Sequence, residues 1–334
     1  MTPYQYALVI IKQQGNSDTL FLGDTNLDNT KVFFRKSGFN DVFLVSTTLK
    51  NSTTKSLYDL RDKSILKFKR GEIDKILIEK HRQTFSCFRD KDQQWWLEHP
   101  IRSLCEEDEI DDILNKLNNS KVTRFESEQP TNLKKYTLQN PLLTVTLFDS
   151  TRTQQKTLYI GKKENKEYYA KDKSRPSIFL IDSSLVAELN VSLFDLRDKS
   201  IVSFEQDSVT EISIQYPDFI FHCIKDSNNR WFITKPDSGL AKSWKISSLL
   251  YDIKDIEVAQ FIDEQYKLDN FYRFDHQEIK LTLKKENTLL SELLIGKEVE
   301  DKIYLKNNLT NKIYLVKTNV KDDLIVKMEE FLEK

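Results

Sequence analysis

Apolar residues fall in short runs separated by polar or glycine-bearing spacers, the pattern of strands joined by hairpin loops. Tyr6 to Ile11, Leu20 to Gly23, Val32 to Phe34 and Val42 to Val45 predict four strands, and the sparser apolar positions from Ser46 to about Lys63 predict a short helix. A second pattern follows: Ile76 and Ile78 alternate, Thr84 to Arg89 and Trp95 to Glu98 read as strands, and Pro100 stops the last of them. Ile110, Ile113, Leu114 and Leu117 then form a stripe at helical spacing, with Glu106 to Glu109 at the end where the helix dipole favours acid.

Both patterns recur. LYDLRDKSILKF from Leu57 to Phe68 returns 136 residues later as LFDLRDKSIVSF from Leu193 to Phe204, with seven of the first eight residues identical. Leu143, Val145 and Leu147 alternate, Leu158 to Gly161, Tyr168-Tyr169 and Ile178 to Ile181 follow as strands, and a helix is expected through Leu185, Leu189, Leu193 and Leu196. Trp231, Phe232 to Pro236, Ile246, Leu250, Phe261 and Tyr272 stand where Trp95, Trp96 to Pro100, Ile110, Leu114, Phe125 and Tyr136 stand one copy earlier. A third copy of the first pattern runs through Leu281, Ile295-Gly296 and Tyr314, and a closing helix is expected through Leu324, Val326, Met328 and Leu332. The chain therefore divides as A (1–63), B (64–130), A (131–199), B (200–265) and A (266–334).

Strand spacers this short disfavour βαβ crossovers. The expected fold class is α+β: tandem units of mostly antiparallel sheet, each followed by a covering helix, in an elongated array. Gly23, Gly161 and Gly296 occupy one repeat position directly after a strand. A hairpin turn at positive φ accounts for them, and no further glycine follows at the spacing of a phosphate loop.

Composition narrows the chemistry. With 51 basic and 52 acidic residues among 334, the formal charge is -1, which supplies no field for nucleic acid or an anionic membrane. No apolar run reaches the roughly 18 residues that cross a bilayer. Three cysteines without a Cys-x-x-Cys spacing indicate neither a disulfide framework nor a zinc site, and Cys87 and Cys223 are the same position in two copies. His81, His99, His222 and His276 share no spacing, and His222 and its strand neighbour Cys223 point to opposite sheet faces. The acidic run Glu106 to Asp112 has no acidic counterpart at Lys242 to Ser248. No catalytic residue, metal site or cofactor is expected.

Two sets of positions stand out. Arg61, Asp62, Arg197 and Asp198 recur in both copies; a guanidinium there suits a carboxylate or phosphate, but local bonds that fix the helix end against the next strand explain the pattern better. Consecutive aromatics (Phe33-Phe34, Trp95-Trp96, Tyr168-Tyr169) place one ring on each sheet face, and Phe34, Trp95 and Tyr169 are the candidates for a partner or ligand surface.

Taken in order, the LRDKS element, the I-x-I strand, the W-x-x-x-P strand end before an amphipathic helix, and the element from Tyr136 to Leu158-Tyr159-Ile160-Gly161 resemble the DUF4340 family over nearly the whole chain. The resemblance implies a protein held to the membrane by an N-terminal helix, with an extracytoplasmic body, associated with ABC-type or gliding-motility-like transport systems. It supplies no catalytic residues, and it implies an anchor, with a further B unit, ahead of Met1. The expected function is a non-catalytic interaction or scaffold module partnered by transport-system subunits. The alternative is capture of a glycan, peptide or lipid in an aromatic-lined groove between units.

Overall fold

The computed structural model describes residues 4–13, 15–151, 155–262 and 268–333. In chain order the strands and helices are β1 (Tyr6–Ile11), β2 (Ser17–Thr25), β3 (Lys31–Lys36), β4 (Phe43–Ser46), α1 (Thr47–Thr53), α2 (Leu57–Leu60), β5 (Ile73–Lys80), β6 (Gln83–Arg89), β7 (Trp95–His99), β8 (Ser103–Leu104), α3 (Glu107–Asn119) and β9 (Arg124–Ser127). Then come β10 (Leu143–Asp149), β11 (Gln155–Glu164), β12 (Glu167–Asp172), β13 (Ile178–Asp182), α4 (Ser183–Leu189), α5 (Leu193–Leu196), β14 (Glu211–Gln215), β15 (Ile220–Lys225), β16 (Trp231–Lys235), β17 (Gly239–Leu240) and α6 (Ser243–Lys254). The chain continues through β18 (Gln260–Phe261), α7 (Asp269–Tyr272), β19 (Ile279–Lys285), β20 (Thr288–Val299), β21 (Lys302–Asn307), β22 (Lys312–Lys317), α8 (Asn319–Asp323) and α9 (Met328–Phe331).

Two compact units result. The first comprises Met1–Thr84 and Ile113–Asn190, the second Phe85–Asp112 and Val191–Lys334. In the first, β1-β2-β3-β4 form an antiparallel sheet in sequence order, and a separate run is ordered β5-β10-β11-β12-β13-β9. In the second, β14-β19-β20-β21-β22-β18 repeats that order, with β15, β16 and β17 continuing the sheet beyond β14. The fold is thus α+β, with antiparallel sheets built from repeated elements, as the alternating patterns and short spacers predict.

The duplication extends to individual side chains. Tyr136 and Tyr169 meet edge to face at 4.8 Å, and Tyr272 and Tyr304 do so at 4.9 Å. Ser56 and Asp59 form a capping box at α2, as Ser192 and Asp195 do at α5. The Asp62 carboxylate accepts from the Ser64 N–H as Asp198 does from Ser200. The cis peptides before Pro100 and Pro236 follow β7 and β16 respectively.

The apolar stripes are buried as their periodicity demands. In the second unit Ile246, Leu249, Leu250 and Ile253 of α6 join the sheet residues Ile212, Ile214, Leu281, Leu283 and Leu305 in one core. Burying one such side chain contributes about 2 kcal/mol. Ile110, Ile113, Leu114 and Leu117 of α3 are likewise buried, with Glu107, Asp108 and Glu109 in its first turn.

Three expectations need correction. Leu185, Leu189, Leu193 and Leu196 do not share one helix: α4 ends at Leu189, and the Ser192 capping box starts α5 afresh. The expected closing helix is similarly split into α8 and α9. Gly23, Gly161 and Gly296 are not hairpin-turn residues, for each lies inside a strand (β2, β11, β20), where the pairing register skips directly afterwards. A Cβ at Gly161 would lie 2.0 Å from the Tyr136 carbonyl oxygen, and one at Gly296 would lie 2.2 Å from that of Tyr272. Close backbone approach, not positive φ, excludes a side chain there; the glycines at positive φ are Gly15 and Gly38.

Candidate interaction groove

The LRDKS element begins at a helix end that its own sequence fixes. The Ser56 hydroxyl accepts from the Asp59 N–H, the Asp59 carboxylate accepts from the Ser56 N–H, and Arg61 leaves α2 in extended conformation. This places the Arg61 guanidinium over the Phe125 ring, 3.3 Å from its centroid, and in a two-pronged ion pair with the Glu128 carboxylate. The Tyr58 hydroxyl donates to the Val122 carbonyl at 2.8 Å, and the Val122 N–H returns to Lys63.

Leu57, Tyr58 and Arg61 thereby form one wall of a groove of about 440 Å³, whose other wall is β9 and its neighbours from Thr123 to Glu128. β9 ends the strand order of its sheet, so one edge of its backbone lacks a strand partner. Leu57 and Leu60 are 74% and 73% exposed, a large apolar exposure for side chains on one turn of helix.

The second copy has the same bones and a different surface. Arg197 sits 3.5 Å over the Phe261 ring, yet it is buried, and Leu196, the counterpart of Leu60, is 0% exposed. Tyr58 becomes Phe194, which packs against the core of its unit.

The other singled-out residues are distributed as follows. Asp62 and Asp198 accept from the serine N–H two residues on, Arg61 and Arg197 reach across to Phe125 and Phe261, and Arg61 in addition lines the groove. Contact with Lys67, then the bonds from Ser64, hold the Asp62 carboxyl well below the usual carboxylate range. Trp95 and Tyr169 were candidates for a partner surface, and burial overturns both: Trp95 is 2% exposed and Tyr169 4%. Their strand neighbours Trp96 and Tyr168 take the outer face and are half-buried. Phe34 is half-buried on β3, and its neighbour Phe33 is exposed.

The cysteines, His222 and the residues of the Asp252 cavity do not line the groove. Cys87 and Cys105 are buried beside one another, and contact with Cys87, then burial, pushes the Cys105 thiol up. Burial raises the Cys223 thiol as well. His222 lies 3.4 Å from Glu211, whose carboxyl is held low first by Lys284. Asp252, Asp255 and Asp323 line a cavity of about 320 Å³ with Lys317 and Asn319, and burial, with the Asp323 and Asp255 charges, raises the Asp252 carboxyl. Among the described residues no group of three or more His, Cys, Asp or Glu side chains is arranged to hold a metal ion, and no helix is long and apolar enough to cross a membrane.

Sequence reasoning placed Arg61 but missed Leu57 and Glu128 as groove residues, and the exposed Leu60 near them. The aromatic recurring at Phe125 and Phe261 was the available signal, because an aromatic face is what a guanidinium stacks on.

Comparison with protein families matches the chain three times, at residues 4–126, 95–271 and 231–334, to the one described as Domain of unknown function (DUF4340). No curated protein and no solved structure matches it.

Proposed function

The chain belongs to the DUF4340 family, whose description assigns no reaction, and from that premise we propose that it is a non-catalytic interaction module that holds a polypeptide partner at the groove of its first A unit. The observation that carries this reading is the exposure of Leu57, which lines the groove with β9, and of Leu60 three residues on, in an element whose second copy buries Leu196, the counterpart of Leu60. Exposed apolar side chains next to an unpaired strand edge are the ordinary makings of a protein-binding surface. A setting on the extracytoplasmic side of a membrane, beside the subunits of an ABC-type transport or cell-surface machine, is part of the proposal and rests on the family resemblance alone.

Capture of a glycan or lipid in an aromatic-lined groove is the weaker reading. Tyr169, its proposed lining residue, is packed against Tyr136 in a small core, and the Phe125 face is taken by Arg61.

The test is co-purification from native membranes, comparing the wild-type protein with Leu57→Asp/Leu60→Asp. Transport-system subunits retained by the wild type and lost by the variant are the expected result. Identical sets of bound proteins from the two would remove the groove from the account.

A further inference from the structure

Within the second unit, a short backbone ladder occurs twice with the same geometry. The Glu106 N–H donates to the Leu196 carbonyl at 3.0 Å and the Asp198 N–H to the Leu104 carbonyl at 3.1 Å, with Cys105 and Arg197 paired antiparallel between them. One copy later the Lys242 N–H donates to Phe331 at 2.8 Å and the Glu333 N–H to Leu240 at 2.9 Å, with Ala241 paired to Leu332. In both, the end of an A-unit helix receives a three-residue segment that follows a B-unit Trp strand by a short turn and bonds back to it, Cys105 to Trp95 and Ala241 to Trp231. Each ladder buries its helix-end residue, Leu196 or Phe331, and a small residue opposite, Cys105 or Ala241.

The first A unit presents the same helix end, and there the ladder is open. Leu60, Arg61 and Asp62 correspond to Leu196, Arg197 and Asp198, and the φ and ψ of Arg61 (-81°, 150°) resemble those of Arg197 (-89°, 137°). Among the described residues nothing bonds the Leu60 carbonyl or the Asp62 N–H. Within residues 1–334 the two segments of this kind, Leu104–Glu106 and Leu240–Lys242, are already engaged. A second copy would have to break its own ladder to supply one. Charge selects further: Lys199 meets Glu106 at 3.3 Å, and its counterpart Lys63, among the described residues, contacts the Asp59 carbonyl and the Tyr58 ring and no carboxylate.

We infer that Leu60–Asp62 receives an extended segment from outside residues 1–334, of apolar–small–acidic sequence, that adds two main-chain hydrogen bonds and places its acid against Lys63. This rests on the reading of the first A unit as an interaction surface and names what that surface recognises. The partner's apolar residue covers Leu57 and Leu60, its small residue lies opposite Arg61, and the backbone bonds set the register. Acid at the third position supplies selectivity more than strength.

The probe is a fluorescent peptide with the sequence of residues 101–107 carrying Cys105→Ala, the residue that stands at Ala241, titrated against the whole chain. Saturable binding with Kd below about 1 mM is expected, since few bonds form but the receiving backbone is already set. Leu60→Glu abolishes it, the peptide carrying Glu106→Lys binds about fivefold more weakly, and Lys63→Glu reverses that preference. Leu60 is exposed, so the variant keeps the wild-type urea midpoint, and that measurement shows it folded. No saturable binding, or binding indifferent to Leu60→Glu and Lys63→Glu, overturns the inference. Concentration-dependent self-association that Leu60→Glu removes also overturns it, by making a second copy the occupant. If the peptide fails while co-purification still depends on Leu60, the interaction reading survives and only the segment named here is lost.

Discussion

Leu60 and Leu196 occupy the same place in two copies of one element, on helix ends with the same capping box and the same stacked arginine, and one is 73% exposed while the other is fully buried. Nothing local accounts for the contrast. The local sequence builds the element; a segment about 90 residues earlier, Leu104–Glu106, determines whether its outer face is core or surface. A duplicated unit can thus keep its fold while the role of its surface depends on what lies against it.

Four measurements of stability would break or sharpen that contrast. The largest effect is expected at the strand glycines that the later copies share: Gly161→Ala or Gly296→Ala drives a methyl into a backbone carbonyl and costs about 4 kcal/mol or more. Gly71→Ala, with nothing within 4 Å of its Cβ position, is the control, and urea unfolding reads both. Next comes the contrast itself: Leu196→Ala opens a cavity and costs about 3 kcal/mol, whereas Leu60→Ala costs no more than about 0.5 kcal/mol by the same unfolding measurement. Comparable losses at the two positions would mean that the first copy is covered in solution. Ser56→Ala and Ser192→Ala each remove one capping box, for about 1 kcal/mol apiece, and unequal costs would show that the two helix ends are less alike than their geometry. The smallest effect concerns acid. Because Lys67 and Ser64 hold the folded-state carboxyl of Asp62 low, its contribution is complete at neutral pH and fades as pH falls below about 4. The midpoint difference between wild type and Asp62→Asn should therefore shrink between pH 7 and pH 3.

Much of this architecture was legible in the residues. Strand runs, their order of recurrence and the equivalence of Tyr136 and Tyr272 follow from periodicity and from comparing the chain with itself, because each copy must satisfy the same sheet. Helix ends were harder to read. The leucine spacing across Asn190 continues as though one helix did, and only the serine three residues before Asp195 marks the restart. The strand glycines were misread because the atom that excludes a side chain, the Tyr136 carbonyl, lies 25 residues away from Gly161 in sequence. Adjacent aromatics reveal that two faces differ but not which faces inward, so Trp95 and Tyr169 were assigned to the wrong side. The exposed apolar face was hidden for the same kind of reason, since Leu57 and Leu60 are spelled as Leu193 and Leu196 are.

The Ser56–Asp59 capping box also bears on how quickly the open face can be occupied. A helix end locked by its own side chains need not rearrange when a visitor arrives, so nearly all the freedom lost on association is the visitor's. Residence time on this face should therefore respond to stiffening of the incoming strand, by a cyclised or β-branched backbone, more than to any change that tightens α2.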